Sequence, residues 1–187
     1  MDVLAGADFF TVEVLTWRGL ITYYVLFFIE IGSRRVSLGG ITRHPDSSWM
    51  EQVARNATME GTGYLNGCRY LLHDRDTKFC HEFRDTLAAG GVKCTPLPAR
   101  SPNLNSYAER GIRSVKQECL SRLILFGENS LRRAVSHFLE HFHQERNQQG
   151  KDNLLLFRTG AAASPQATAV RGRERLGGLL KFYRRAA

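Results

Sequence analysis

The chain has 187 residues, 43% hydrophobic and 24% charged, with a net charge of +8, a balance that excludes a disordered chain and fits one core of ordinary domain size. Four scattered cysteines, Cys68, Cys80, Cys94 and Cys119, form no Cys-x-x-Cys pair, so they signal neither a zinc module nor a disulfide framework, and reduced thiols in a cytoplasmic protein are expected. The charge is uneven: residues 1–99 hold 10 Lys+Arg against 11 Asp+Glu, and residues 100–187 hold 16 against 7. A nucleic-acid partner is the leading expectation for the basic half, with a merely solvated basic surface as the alternative.

In chain order, Asp8 to Trp17 reads as a strand, Arg18-Gly19 as a two-residue turn and Leu20 to Ile31 as the antiparallel partner. That partner holds the most apolar run, Leu20 to Ile29, which at ten residues is half of a membrane-spanning helix and therefore a core strand. No basic segment ahead of an apolar stretch marks a secretory signal, and no membrane partner is expected. Gly32-Ser33 turns the chain into a third strand, Arg34 to Thr42. The first strand is apolar on both faces, Phe10, Val12 and Val14 on one and Phe9, Leu15 and Trp17 on the other, which suits a central position. Asp8 lies on the parity of Phe10, a costly place for an unpaired carboxylate.

After Pro45, Ser48-Trp-Met-Glu51 has the form of a capping box, and Trp49, Met50, Val53, Ala54 and Ala57 form a helical stripe. Gly61 to Gly67 is a glycine-rich connection, and Arg69 to Leu72 a fourth strand. The strand stops at His73-Asp74-Arg75-Asp76, placing charge where helix-covered sheets gather their ligands. Phe79 to Ala89 reads as a second helix and Val92 to Thr95 as a fifth strand. The expected fold class is therefore α/β: a mixed five-stranded sheet, an antiparallel 1-2-3 meander followed by alternating helix and strand, flanked by helices.

Pro96 to Pro102 must be a loop. In the helix from about Asn105 to Leu120, Ala108, Ile112, Val115 and Cys119 form the core stripe. Glu109 lies one residue off it, followed on its own row by Arg113 and Lys116. A surface ion pair between Glu109 and Arg113 is the ordinary reading of that acid. Counted with Asp8 and Asp74 it reads differently, because a first and a fourth strand lying side by side would let all three carboxylates meet. Such acids raise one another's pKa unless cations compensate, and hard oxygen ligands suit Mg²⁺ or Mn²⁺. Two metals roughly 3.5–4 Å apart are the standard device for in-line displacement at phosphorus.

Three blocks, Asp8-Phe-Phe-Thr-Val, His73-Asp-Arg-Asp-Thr-Lys-Phe79 and Ser101-Pro-Asn-Leu-Asn-Ser-Tyr-Ala-Glu-Arg110, resemble the signatures of the integrase catalytic core shared by retroviral integrases and D,D-E insertion-sequence transposases. The resemblance covers most of residues 5–150. It implies a ribonuclease H-like fold, a catalytic and metal-binding triad of Asp8, Asp74 and Glu109, two Mg²⁺ ions with Mn²⁺ as a substitute, and DNA-strand cleavage and transfer. It also implies DNA as substrate and a homodimer or higher assembly on DNA. Asp76 falls where the family often has glycine or a second acid and reads as a turn residue. Asn147 and Gln148 depart from a common proline and histidine. Gly111 replaces a usual aromatic, at roughly 1 kcal/mol of helix propensity and with a packing gap near Glu109.

The chain starts within a few residues of its first strand, so specific end recognition is expected to be absent or supplied by a separate subunit. Residues 1–150 are expected to form the catalytic core and 151–187 a basic linker and tail, ending in a short docking helix or strand around Leu176, Leu179, Leu180, Phe182 and Tyr183. The cations expected to meet nucleic acid are Arg110, Arg113, Lys116, Arg146, Lys151, Arg171, Arg173 and Arg175. Two alternatives remain open on the sequence: a relic that binds DNA without cutting it, and a standalone ribonuclease H-like nuclease acting on RNA–DNA hybrids.

Overall fold

The computed structural model describes residues 4–98, 106–148, 154–156 and 170–185. Three strands, β1 (Leu4–Thr16), β2 (Gly19–Glu30) and β3 (Val36–Thr42), form the expected antiparallel meander. Helix α1 (Ser47–Thr58), strand β4 (Tyr70–His73), helix α2 (His81–Ala89) and strand β5 (Lys93–Pro96) follow in alternation. The five strands make one mixed sheet in the order β3-β2-β1-β4-β5. This is the expected α/β class, and the order answers the question that decides the site, because β1 and β4 are neighbours.

Each sheet face is covered. On one side Ala5, Ala7, Leu26, Phe28 and Leu71 meet Met50, Val53, Ala54 and Ala57 of α1 and Phe83 and Leu87 of α2. On the other, Phe10, Val14, Val25, Phe27 and Ile29 meet Ala108, Ile112 and Val115 of α3 (Ser106–Glu118). The same layer contains Leu131, Ala134, Val135, Phe138 and Phe142 of α4 (Gly127–Gln144). Alternate residues of β1 thus serve two cores, the period-2 consequence of a strand covered on both faces.

Local details depart from the sequence reading. The first turn is Trp17-Arg18 rather than Arg18-Gly19, with Thr16 paired to Gly19. Gly19 opens β2 at φ +99°, a conformation a side chain disfavours. Trp17 is consequently at the tip and 93% exposed. The cap of α1 is Asp46, whose carboxylate accepts the Trp49 N–H (2.9 Å), not Ser48. Asp46 reaches the first free donors of the helix two residues earlier than the Ser48 box would. Helix α4 was not delineated in the sequence, although Leu131, Val135, Phe138 and Phe142 recur at spacings of 4, 3 and 4.

Two short strands, β6 (Asn147–Gln148) and β7 (Leu154–Leu155), pair after α4. The chain then returns as an antiparallel hairpin of β8 (Val170–Arg175) and β9 (Leu180–Arg185). The tail is therefore strand, not helix. Its turn end docks: Leu180 is buried with the α4 core, and Arg175 is paired with Glu145 at the end of α4. No described helix is long and apolar enough to cross a membrane.

Candidate active site

Parallel pairing of β1 with β4 runs from Leu4↔Tyr70 to Ala7↔His73. One step further along each strand stand Asp8 and Asp74, on chains about 4.8 Å apart at this spacing. Strand β4 ends at His73, whereas β1 runs on for nine residues past Ala7, so the edge of β1 that faced β4 is left without that partner from Asp8 until Leu15, whose N–H is bound by the Leu125 carbonyl (2.9 Å). Helix α3 packs on one face of the sheet over β1 and β2, and Glu109 in its first turn lines the same cleft as Asp8. The cleft, about 630 Å³, is lined by Asp8, Phe10 and Thr11 along β1, by Asp76 and Lys78 on one wall, and by Glu109, Arg113 and Lys116 on the other.

Electrostatics tie the acids together. The half-buried Asp8 has its pKa pushed up to about 6, first by burial, against a hydrogen bond from Phe9, and further by the charges of Asp74 and Glu109. Lys116 is the cation that opposes this rise. Its Nζ lies 5.3 Å from the centre of the Phe10 ring. Asp74 and Glu109 thus each stand near enough to Asp8 to act on its charge, Asp8 and Glu109 lining the cleft and Asp74 following β4 beside it. Their oxygens are not gathered to a point: Asp8 Oδ1 accepts the N–H of Phe9 (2.8 Å) and Asp74 Oδ1 that of Asp76 (3.1 Å). Among the described residues no three acid, histidine or cysteine side chains converge in a metal-ligating set. Each carboxylate keeps a second oxygen. The donor chemistry, hard carboxylate oxygens among which Asp8 is pushed up first by burial, fits a divalent cation.

Behind Asp74, the buried His73 places Nδ1 2.6 Å from the Asp74 carbonyl oxygen, which can only accept, so Nδ1 carries the proton. Burial holds the His73 pKa below its ordinary value. Its ring packs on Phe79 with centroids 4.5 Å apart, and the contact fixes the chain where β4 releases Asp74.

The expected cations separate into distinct environments. Arg113 and Lys116 line the cleft. Arg110 is exposed one residue past Glu109, its guanidinium 4.7 Å from the Tyr107 ring centre. Arg146 pairs with Glu118 (2.8 Å). Arg171 is exposed on β8. Arg173 pairs with Glu145 (3.2 Å) but stays 65% exposed. Arg175 differs from the sequence reading: its side chain is 10% exposed and meets Glu145 (2.8 Å) and Glu140, so its charge is spent on α4. Lys151 lies outside the described residues. The reading of the sequence passed over Lys78, which only the packing of Phe9 and Tyr24 brings into the cleft.

The same architecture is found in solved integrases. The chain superposes on the HTLV-2 integrase catalytic core domain, a dimeric form in complex with magnesium, with a TM-score of 0.58 at 14% identity, over 76% of this chain and 86% of that one. The chain has the fold of a retroviral integrase catalytic core. The core domain of BIV integrase gives a TM-score of 0.56 at 15% identity, covering 80% and 89% of the two chains. A chain of the simian T-cell lymphotropic virus intasome in complex with the PP2A regulatory subunit B56γ gives 0.61 at 14% identity, over 97% of this chain and 66% of that one. No protein-family model and no curated protein matches the sequence.

Proposed function

We propose that the chain is the catalytic core of a DNA-processing polynucleotidyl transferase, in which Asp8, Asp74 and Glu109 hold divalent cations against a DNA phosphodiester. The observation that carries this is the register of β1 and β4, which sets Asp74 beside Asp8 at the end of β4, next to the cleft that Asp8 and Glu109 both line. A half-buried carboxylate with its pKa pushed up to about 6 beside two more acids is poorly served by the protein alone. When bound there, Mg²⁺ or Mn²⁺ ions would polarise the phosphodiester and lower the pKa of an attacking water or 3′-hydroxyl.

The chain's own residues do the rest. Asp8 gives up its proton more readily once a cation shares its oxygens, so cation capture tightens as pH rises through about 6. His73 keeps the backbone of Asp74 in place. Arg113 and Lys116 supply positive charge along the cleft wall, where the phosphates flanking the reacting one would lie. Residues 1–150 form the core in this reading, and the basic extension 151–187 adds non-specific phosphate contacts through its exposed cations, Arg171, Arg173 and Lys181. A homodimer or larger assembly on DNA, with ends recognised by a separate subunit, completes the proposal.

Nicking and strand transfer of a labelled duplex in Mn²⁺, by wild type, Asp74→Asn and Glu109→Gln, tests the reading. Activity confined to the wild type supports it. A preference for an RNA–DNA hybrid over duplex DNA would move the assignment to a ribonuclease, and duplex binding without cleavage would make the chain a DNA-binding relic.

A further inference from the structure

The wall of the cleft facing α3 carries a cation that no part of the triad calls for. Lys78 Nζ lies 5.5 Å from the centre of the Phe9 ring, 5.3 Å from that of Tyr24 and 2.6 Å from Asp76 Oδ2. A lysine in a surface turn ordinarily sends its ammonium group into water. This one is folded back over two aromatic faces, with its side chain 25% exposed. The turn itself does not need that ammonium: Asp76 Oδ1 already accepts the Lys78 backbone N–H (2.9 Å), and the Asp76 N–H is bound by Asp74 Oδ1.

Lys116, from α3, mirrors the arrangement with its Nζ over Phe10. Phe9 and Phe10 are successive residues of β1 and so stand on opposite faces of the sheet. The two ammonium groups therefore flank the open edge of β1 immediately after Asp8, and both line the one cleft. Three carboxylates alone would repel a polyanionic strand. A pinned cation on each side offsets that repulsion and defines a path between them for a phosphate backbone.

We propose that Lys78 and Lys116 form a two-sided phosphate clamp for one nucleic-acid strand, and that Asp76 is the counter-ion Lys78 exchanges for phosphate when the strand binds. The inference rests on the DNA-processing reading and adds Lys78 and Asp76 to it. Asp76→Asn keeps the oxygen that accepts the Lys78 N–H while removing the competing charge, Lys78→Gln removes the ammonium, and Lys78→Arg retains a cation.

A short fluorescein-labelled DNA duplex, titrated in EDTA at several salt concentrations with the full chain, provides the test, with melting curves confirming that every variant folds. Lys78→Gln is expected to bind more weakly and to lower the slope of log K against log [salt] by about 0.9, the value of one phosphate contact. Lys78→Arg should keep the wild-type slope, and Asp76→Asn should bind more tightly than wild type. A Lys78→Gln slope equal to that of wild type, or no tightening in Asp76→Asn, would overturn the clamp. Failure of the wild type to bind duplex DNA at all would overturn the DNA reading beneath it, which separates the two.

Discussion

Two carboxylates of this chain sit in opposite electrostatic settings. Glu145, buried at the end of α4, is held at a pKa of about 2, chiefly by its hydrogen bonds with Arg175 and despite the cost of burial, with His141 and Arg173 also contributing. Asp8, half-buried on β1, is pushed up to about 6 by burial and by the neighbouring Asp74 and Glu109. One acid is surrounded by cations of the protein; the other is placed among acids, with Lys116 as its opposing charge. The first arrangement stabilises the fold, tying the β8–β9 hairpin to α4. The second costs stability and makes sense as a place kept for a cation from outside.

The largest effect expected from breaking this contrast is at Glu145. Glu145→Ala leaves Arg175 nearly buried with Glu140 and a long contact to His137, so a loss of about 3 kcal/mol is expected, the lower end for breaking a buried pair. Urea unfolding would read it, and a loss near zero would mean that the hairpin is not latched to α4. Because the folded pKa of Glu145 lies below its ordinary value of 4.5, its contribution is complete above that pH and disappears as pH falls towards 2.

Asp8 should show the reverse sign. Its folded pKa lies above the ordinary 3.8, so ionisation of Asp8 penalises the fold above pH 6 and the penalty vanishes as pH falls from 6 to 4. In EDTA, Asp8→Asn is expected to stabilise the protein at neutral pH by up to about 2 kcal/mol, at roughly 1.4 kcal/mol per pKa unit less an allowance for solvent screening. Below pH 4 the variant and the wild type should melt alike. A destabilised Asp8→Asn at neutral pH would contradict the strain assigned to this acid.

The smallest effect concerns the helix that carries Glu109. A Cβ added at the buried Gly111 would meet only Val36 Cγ2, at 3.8 Å, an ordinary contact. Gly111→Ala should therefore gain up to about 1 kcal/mol from helix propensity. A loss in thermal melting would show that the glycine serves a closer approach.

Much of this was legible beforehand, for identifiable reasons. The apolar run of β1, hydrophobic on both faces, and the abrupt change from Tyr70-Leu-Leu to His73-Asp-Arg-Asp marked both strands, and the meander left β1 free to take β4 as its neighbour. Asp74 stood out as charge ending an apolar strand, Asp8 as a carboxylate on the apolar parity of Phe10, and Glu109 as an acid one residue off the core stripe of its helix. The turn at Trp17 and the cap at Asp46 were each misplaced by one or two residues, since neighbouring polar residues there have similar propensities. The fate of Arg175 was not legible at all: a basic run looks alike whether it faces phosphate or Glu145, and the partner lies 30 residues away. Lys78 escaped notice for the same reason, its rings being supplied by β1 and β2.

The most direct measurement is calorimetric titration of Mn²⁺ into the wild type and Asp74→Asn across pH 5 to 8. The expected result is binding by the wild type that tightens as pH rises through about 6, with protons released from Asp8, and loss of most of that binding in the variant. Equal binding by both proteins, or wild-type binding that is independent of pH in this range, would contradict a metal site built from Asp8, Asp74 and Glu109.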